Sequence, residues 1–277
     1  MESKTQLRNL LQQQLDGDDA AISVADDLVS QVLMQRDCHF GGSFDLMLAA
    51  YRAGGKSVAH DLTVRDVERV AAMEKETGGN LAATLLSGEQ MEQVAQARST
   101  YRDLQALYES AKPGSLELAM ADLILSESME PEQEIAAVIA HGTPARLLLC
   151  NLLESAVFSS PLFPGYGYAP MHAAAALGKL GDTAAIATLF GAMHRTDEPA
   201  TEEACVQALT RIGDPALQFL LRRVAARPLT TENETAAYAL SCWPADPSIA
   251  TVAQRLLEDP EVQRRPLLSD YLRLLVN

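Results

Sequence analysis

Apolar residues in the second half of the chain recur three and four positions apart, in blocks separated by short polar turns. That spacing puts them on one face of a helix. Three blocks, Ala173–Met193, Ala204–Val224 and Thr235–Leu256, share a register that places Asp182, Asp214 and Asp246 at intervals of 32 residues. Pro215 and Pro247 follow two of these aspartates; Leu177 and Leu209 hold the apolar face, followed by Leu180, Ile212 and, one step off, Trp243. Each position has a physical job. The apolar run forms a first helix, and Gly181 or Gly213 supplies the positive φ that ends it. The aspartate side chain then accepts a backbone N–H at the start of a second helix, where proline lacks only an N–H that would go unpaired. A period in the low thirties built on helix–turn–helix is the pattern of a solenoid, in which no hairpin buries its own face and stacking makes the core.

A looser copy precedes these blocks at Ala137–Pro144, followed by a helix from Ala145 to Phe158. The step from Thr143 to Asp182 is 39 residues, seven more than the period, and the surplus lies in Ser159–Pro170. Three prolines and two glycines exclude a helix from that insertion, which also carries Phe163, Tyr166 and Tyr168. Upstream, residues 117–142 read as another helical pair with Pro131 opening its second member, and residues 266–277 as a closing helix. The first 112 residues show no alignable repeat; glycine pairs punctuate helices over Phe44–Ala53 and from Thr63 to Lys75, and a long amphipathic helix spans residues 88–111. The pattern therefore predicts an all-α protein: a divergent helical region over 1–112 and an α–α superhelix over 113–277, with an insertion at 159–170.

The segments Ala176-Leu-Gly-Lys-Leu-Gly-Asp182 and Ala208-Leu-Thr-Arg-Ile-Gly-Asp-Pro215 resemble the HEAT-repeat family, in particular the short bacterial repeats described as phycobilisome-lyase-like. The resemblance is strong from about Ala169 onward. It implies a helical-hairpin solenoid that grips a partner protein on the concave face of its second helices, and it brings a bilin lyase-like activity into view as an alternative.

Composition narrows the field. The formal net charge is −15. Nucleic-acid binding rests on Lys and Arg neutralising phosphates, and anionic membranes attract the same residues, so neither is expected as a partner. A basic protein is. Residues 113–145 hold six acidic residues (Glu117, Asp122, Glu127, Glu130, Glu132, Glu134) and no basic one, which reads first as a solvated helix surface and, as the sharper alternative, as one side of a docking site that would steer encounter. The amino-terminal segment has no apolar core of a secretory leader, and no stretch reaches the length of a membrane span, so a cytoplasmic location is expected. Cys38, Cys150, Cys205 and Cys242 form no Cys-x-x-Cys pair; each is expected to be a small buried thiol.

Catalytic signals are sparse. Ala50–Ser57 fits a relaxed phosphate-binding loop, but no strand precedes it. His60-Asp61, with His39 before and Asp122 after, is similar to the metal-ligand order of HD phosphohydrolases, whose ligands must converge from different helices. The His-Glu pairs of di-iron helical-repeat hydroxylases do not occur, and helical-repeat DNA glycosylases need a basic face. The residues favour a non-enzymatic scaffold with no cofactor, whose contact residues are Phe163, Tyr166, Tyr168, Phe190, His194, Arg222 and Arg223; the alternative for the loop, and for Phe163 above all, is that it folds down to cap the top of the stack. The alternatives are the bilin lyase and a phosphohydrolase with a metal on His39, His60, Asp61 and Asp122.

Overall fold

The computed structural model of the chain describes residues 19–54 and 62–276, with side chains from Asp27 onward. Among the described residues there are sixteen α-helices, one 3-10 turn and no strand. They form two compact units: one of the residues up to Ala111 together with Val157–Gly167, the other of Lys112–Ala156 together with Tyr168 onward.

The first unit contains α1 (Asp19–His39), α2 (Phe44–Arg52), α3 (Val64–Thr77), α4 (Leu81–Leu85) and α5 (Gly88–Ser110). Their ends follow the punctuation in the sequence. Thr63 caps α3 in a reciprocal capping box with Asp66, and Gly78 ends it in the left-handed conformation. Ser87 and Gln90 form the same box at the start of α5, which satisfies donors that the helix itself leaves unpaired. Helix α1 packs against α3, α4 and α5 and brings Val32 and Leu33 onto Met47, Val67 and Val70.

The second unit runs α6 (Leu116–Leu125), α7 (Glu132–Ile139), α8 (Thr143–Leu153), α9 (Ala169–Leu180), α10 (Ile186–Arg195), α11 (Pro199–Ile212), α12 (Asp214–Val224), α13 (Thr231–Ser241), α14 (Pro247–Leu257), α15 (Pro260–Gln263) and α16 (Pro266–Leu274). First helices stack as α7 on α9 and α9 on α11, while second helices meet as α8 on α10. Each second helix also touches the next first helix: α8 with α9, α10 with α11, α12 with α13. Contacts mainly between neighbouring hairpins mark a repeat stack, α10 reaches further to α13, and α16 covers the end by packing on α13 and α14.

The three in-register aspartates do not play one part. Asp246 caps α14 through Ser248 N–H. Asp182 accepts from Ala184 N–H, but what it opens is a 3-10 turn, Thr183–Ala185, ahead of α10. Its other oxygen lies 2.8 Å from Arg146 Nε, which ties the insertion-bearing hairpin to the next one. Asp214 caps nothing; it is the first residue of α12, and Gly213 holds the cap position. The expectation for the cysteines holds at Cys38, Cys150 and Cys205, which are buried, while Cys242 is exposed beyond the end of α13.

Helices α9 and α11 cross closely. A Cβ placed on Gly178 would stand 2.6 Å from Ala208 Cα and 2.8 Å from its Cβ, well inside van der Waals contact. Ala173, Ala174, Ala176 and Leu177 on the same helix are fully buried, so short side chains let the two backbones approach. Replacing Gly178 by Val forces α9 and α11 apart. The expected cost is at least about 2 kcal/mol, in the upper range for overpacked cores. Urea unfolding followed by the fluorescence of Trp243, the single tryptophan, measures it.

Candidate functional site

The insertion after α8 does not stand away from the protein. Phe163 is 4% exposed and belongs to the core of the first unit with Met47, Val67, Val70 and Leu81; Val157 and Leu162 pack against the same cluster. The chain reaches this position through a narrow turn. Tyr166 has φ 53, between Gly165 at φ 83 and Gly167 at φ 84, and a Cβ on Gly167 would fall 2.9 Å from Ser159 O. A tyrosine in the left-handed region costs about 1–2 kcal/mol, so something must hold it there. Its ring lies 4.3 Å from that of His39.

His39 fixes the turn by its ring nitrogens as well. Nε2 stands 2.9 Å from Pro161 O, and Nδ1 stands 2.7 Å from Tyr101 Oη. A carbonyl only accepts, so Nε2 carries the proton and Nδ1 accepts the tyrosine O–H. Burial lowers the His39 pKa to about 4, against an opposing pull from the Pro161 carbonyl. The imidazole is therefore neutral, with both nitrogens engaged inside the unit. Of the other metal-ligand candidates, Asp122 lies exposed on α6 in the second unit, whereas His60 and Asp61 lie outside the described residues, as do Gly55–Ser57 of the phosphate-loop candidate. Among the described residues no group of three or more His, Cys, Asp or Glu is placed to hold a metal ion.

The remaining contact candidates separate. Tyr168 is half-buried, at the cap position of α9, with its ring 6.1 Å from that of His172. Phe190, Arg223 and His194 do come together. Phe190 is buried edge-on to Phe219 at 5.4 Å, and the Arg223 guanidinium lies over both rings at 5.9 and 5.1 Å while meeting Glu232 at 3.3 Å. His194 Nδ1 stands 2.9 Å from Thr235 Oγ1. Arg222 is exposed and takes no part in that cluster. These contacts stitch α10, α12 and α13 together, so Phe190 and Phe163 work inside the fold and present little surface.

A groove of about 300 Å³ lies on the other set of helices, the first ones. It crosses α7, α9 and α11, where Ala175, Ala204 and Ala208 leave a trough; Met129, Glu130 and Glu132 line one side and Glu203, Gln207 and Arg211 the other. Met129 is 56% exposed. Lys179 pairs with Glu132, and this holds the Glu132 carboxyl below its ordinary pKa. Beneath the groove His172, 1% exposed, places Nε2 2.8 Å from Ser128 O and Nδ1 3.3 Å from Leu123 O. Desolvation lowers its pKa despite both carbonyls. The neutral ring thus donates to Ser128, fixing the α6–α7 connection that carries Met129. The alanines gave no signal as binding residues in the sequence, because a small side chain at helical spacing reads as packing.

Two outcomes test the insertion. Phe163→Ala opens a cavity in the first unit, for which about 3–5 kcal/mol is expected; hydrogen exchange will show protection lost in α2 and α3 while α9 and α11 keep theirs. His39 sets a pH dependence. Its folded pKa lies below its unfolded value of about 6.5, so the unfolded state binds the proton more tightly. The stabilisation is complete above that value and fades as pH falls towards the folded pKa of about 4. Urea midpoints of the first unit taken from pH 7 to pH 4 will fall less steeply in His39→Gln.

The family comparison matches part of the second unit. The model describing HEAT repeats matches residues 167–241, which span α9 to α13. Neither the comparison with curated proteins nor that with solved structures returned a match. Residues 167–241, within the C-terminal half, are HEAT repeats.

Proposed function

We propose that the chain is a protein-interaction scaffold that takes a basic, amphipathic segment of a partner in the groove across α7, α9 and α11. HEAT repeats generally mediate protein–protein interaction, which supports the broad reading. The single observation that carries the specific one is the groove itself: an alanine trough with an exposed methionine at its edge and carboxylates on both sides. Small side chains admit the apolar face of a helix or strand, and Met129 adapts its shape to what enters. Glu130 and Glu203 then face the cations of the incoming segment.

This reading moves the contact surface from second helices to first ones. Phe163 and Phe190 are buried, Tyr166 is stacked on His39, and Arg223 is held by Glu232 and two aromatic rings. The absence of basic residues over 113–145 extends the acidic field beyond the groove, and such a field speeds encounter more than it deepens affinity. Among the described residues, no helix is long and apolar enough to cross a membrane.

Ala204→Arg fills the trough and adds a like charge to the partner's. In affinity capture from the native source followed by mass spectrometry, wild-type protein and Arg222→Ala are expected to retain the same partner, and Ala204→Arg to lose it. Capture should weaken between low and physiological salt, since exposed charge pairs are screened beyond a Debye length of about 8 Å. A partner held equally by Ala204→Arg would refute the groove.

A further inference from the structure

Two clefts open side by side on the first unit, of about 640 and 510 Å³, and both are lined by Asp37, Gly41 and Arg98. The larger is polar, with Arg36, Glu74 and Lys75 in its walls. The smaller is walled by Cys38, Ala95 and Tyr101, and Arg102 joins Arg98 there. Together they contain four cationic side chains and two carboxylates, in a chain whose net charge is −15.

Both carboxylates are already committed. Arg36, 2% exposed, donates from Nε to Asp37 at 2.6 Å and from Nη1 to both oxygens of Glu74 at 2.9 and 2.7 Å. Glu74 also accepts Leu81 N–H at 3.0 Å. This pairing holds the Arg36 pKa above its ordinary value against the desolvation that would lower it. Lys75, Arg98 and Arg102 have no ion-pair partner among the described residues, whereas Arg52, Arg146, Lys179 and Arg265 each find a carboxylate. The C-terminal ends of α1 and α3 border the larger cleft, and each contributes up to about half a negative charge that falls off within one turn. Lys75 sits in the last turn of α3 and answers that field locally. Arg98 and Arg102, one turn apart along the middle of α5, do not.

We propose that the paired cleft binds a small organic phosphate. Arg98, in the wall common to both clefts, takes the phosphate together with Lys75. The body of the ligand lies along Ala95 and Tyr101, with Arg102 at the far rim. Guanidinium groups suit phosphate because their N–H donors match its oxygens two at a time. Each cleft falls within the ~300–1,000 Å³ usual for small-molecule sites. The overall acidity disfavours a nucleic acid, whose long phosphate track would meet repulsion beyond the cleft.

Isothermal titration of the full chain in magnesium-free, low-salt buffer tests this with three probes: ATP for charge with a flat body, pyrophosphate for charge alone, adenosine for the body alone. ATP is expected to bind about tenfold tighter than pyrophosphate, a difference of ~1.4 kcal/mol, adenosine to give no heat, and affinity to fall with added salt. Arg98→Glu, an exposed substitution whose circular dichroism and melting should match wild type, is expected to weaken ATP at least about tenfold. Arg222→Glu on the second unit should leave it unchanged. The proposal is overturned if no probe binds, if adenosine binds as well as ATP, if pyrophosphate equals ATP, or if both glutamate variants lose affinity alike.

Discussion

The fold turns on Phe163. The first unit has α1 to α5 for its core, yet one buried ring of that core, packed in the cluster of Met47, Val67, Val70 and Leu81, comes from the loop between α8 and α9. The chain must finish α8 of the second unit, give residues 157–167 to the first, and return to begin α9 at Ala169. His39 secures the crossing by three contacts, with Pro161, Tyr101 and Tyr166. The strained backbone at Tyr166 persists because those contacts over-determine it. A cut in the chain near Lys112 therefore separates neither unit cleanly, since everything before it lacks a residue of its own core.

Within the second unit the governing quantity is side-chain size on α9 and α11. Gly178 and Ala208 allow near backbone contact, and the same run of alanines leaves the trough above them. Packing and surface shape thus have one origin. Where side chains shrink, helices close up beneath and a groove opens on top. His172 adds the second element of that groove by bonding Ser128 and holding the connection on which Met129 sits.

Charge is distributed as unevenly as size. Residues 113–145 carry acid without base, and the groove inherits Glu130 and Glu132 from them. The first unit reverses the sign locally, because a single buried arginine satisfies two carboxylates and leaves Lys75, Arg98 and Arg102 facing solvent. The two units therefore offer surfaces of opposite character within one acidic chain.

Local signals made the helices and their ends legible in the sequence. Thr63 with Asp66, Ser87 with Gln90, and Gly181 after Leu180 act through bonds a few residues apart, and the 32-residue interval of Asp182, Asp214 and Asp246 marked the repeat. Identical register did not mean identical work: Asp214 gave up its cap to Gly213, and Asp182 took on Arg146. The aromatic insertion read as a loop, and the sequence left open whether it packs on the fold or meets a partner, because Phe163 and Tyr166 stand far in sequence from Met47 and His39, which hold them. By itself the sequence determined what depends on near neighbours: helix, turn, repeat and net charge. Only the tertiary structure decided which aromatic rings are buried, which cations find a carboxylate among the described residues and where a groove opens, because those depend on residues that meet only when distant parts of the chain pack together.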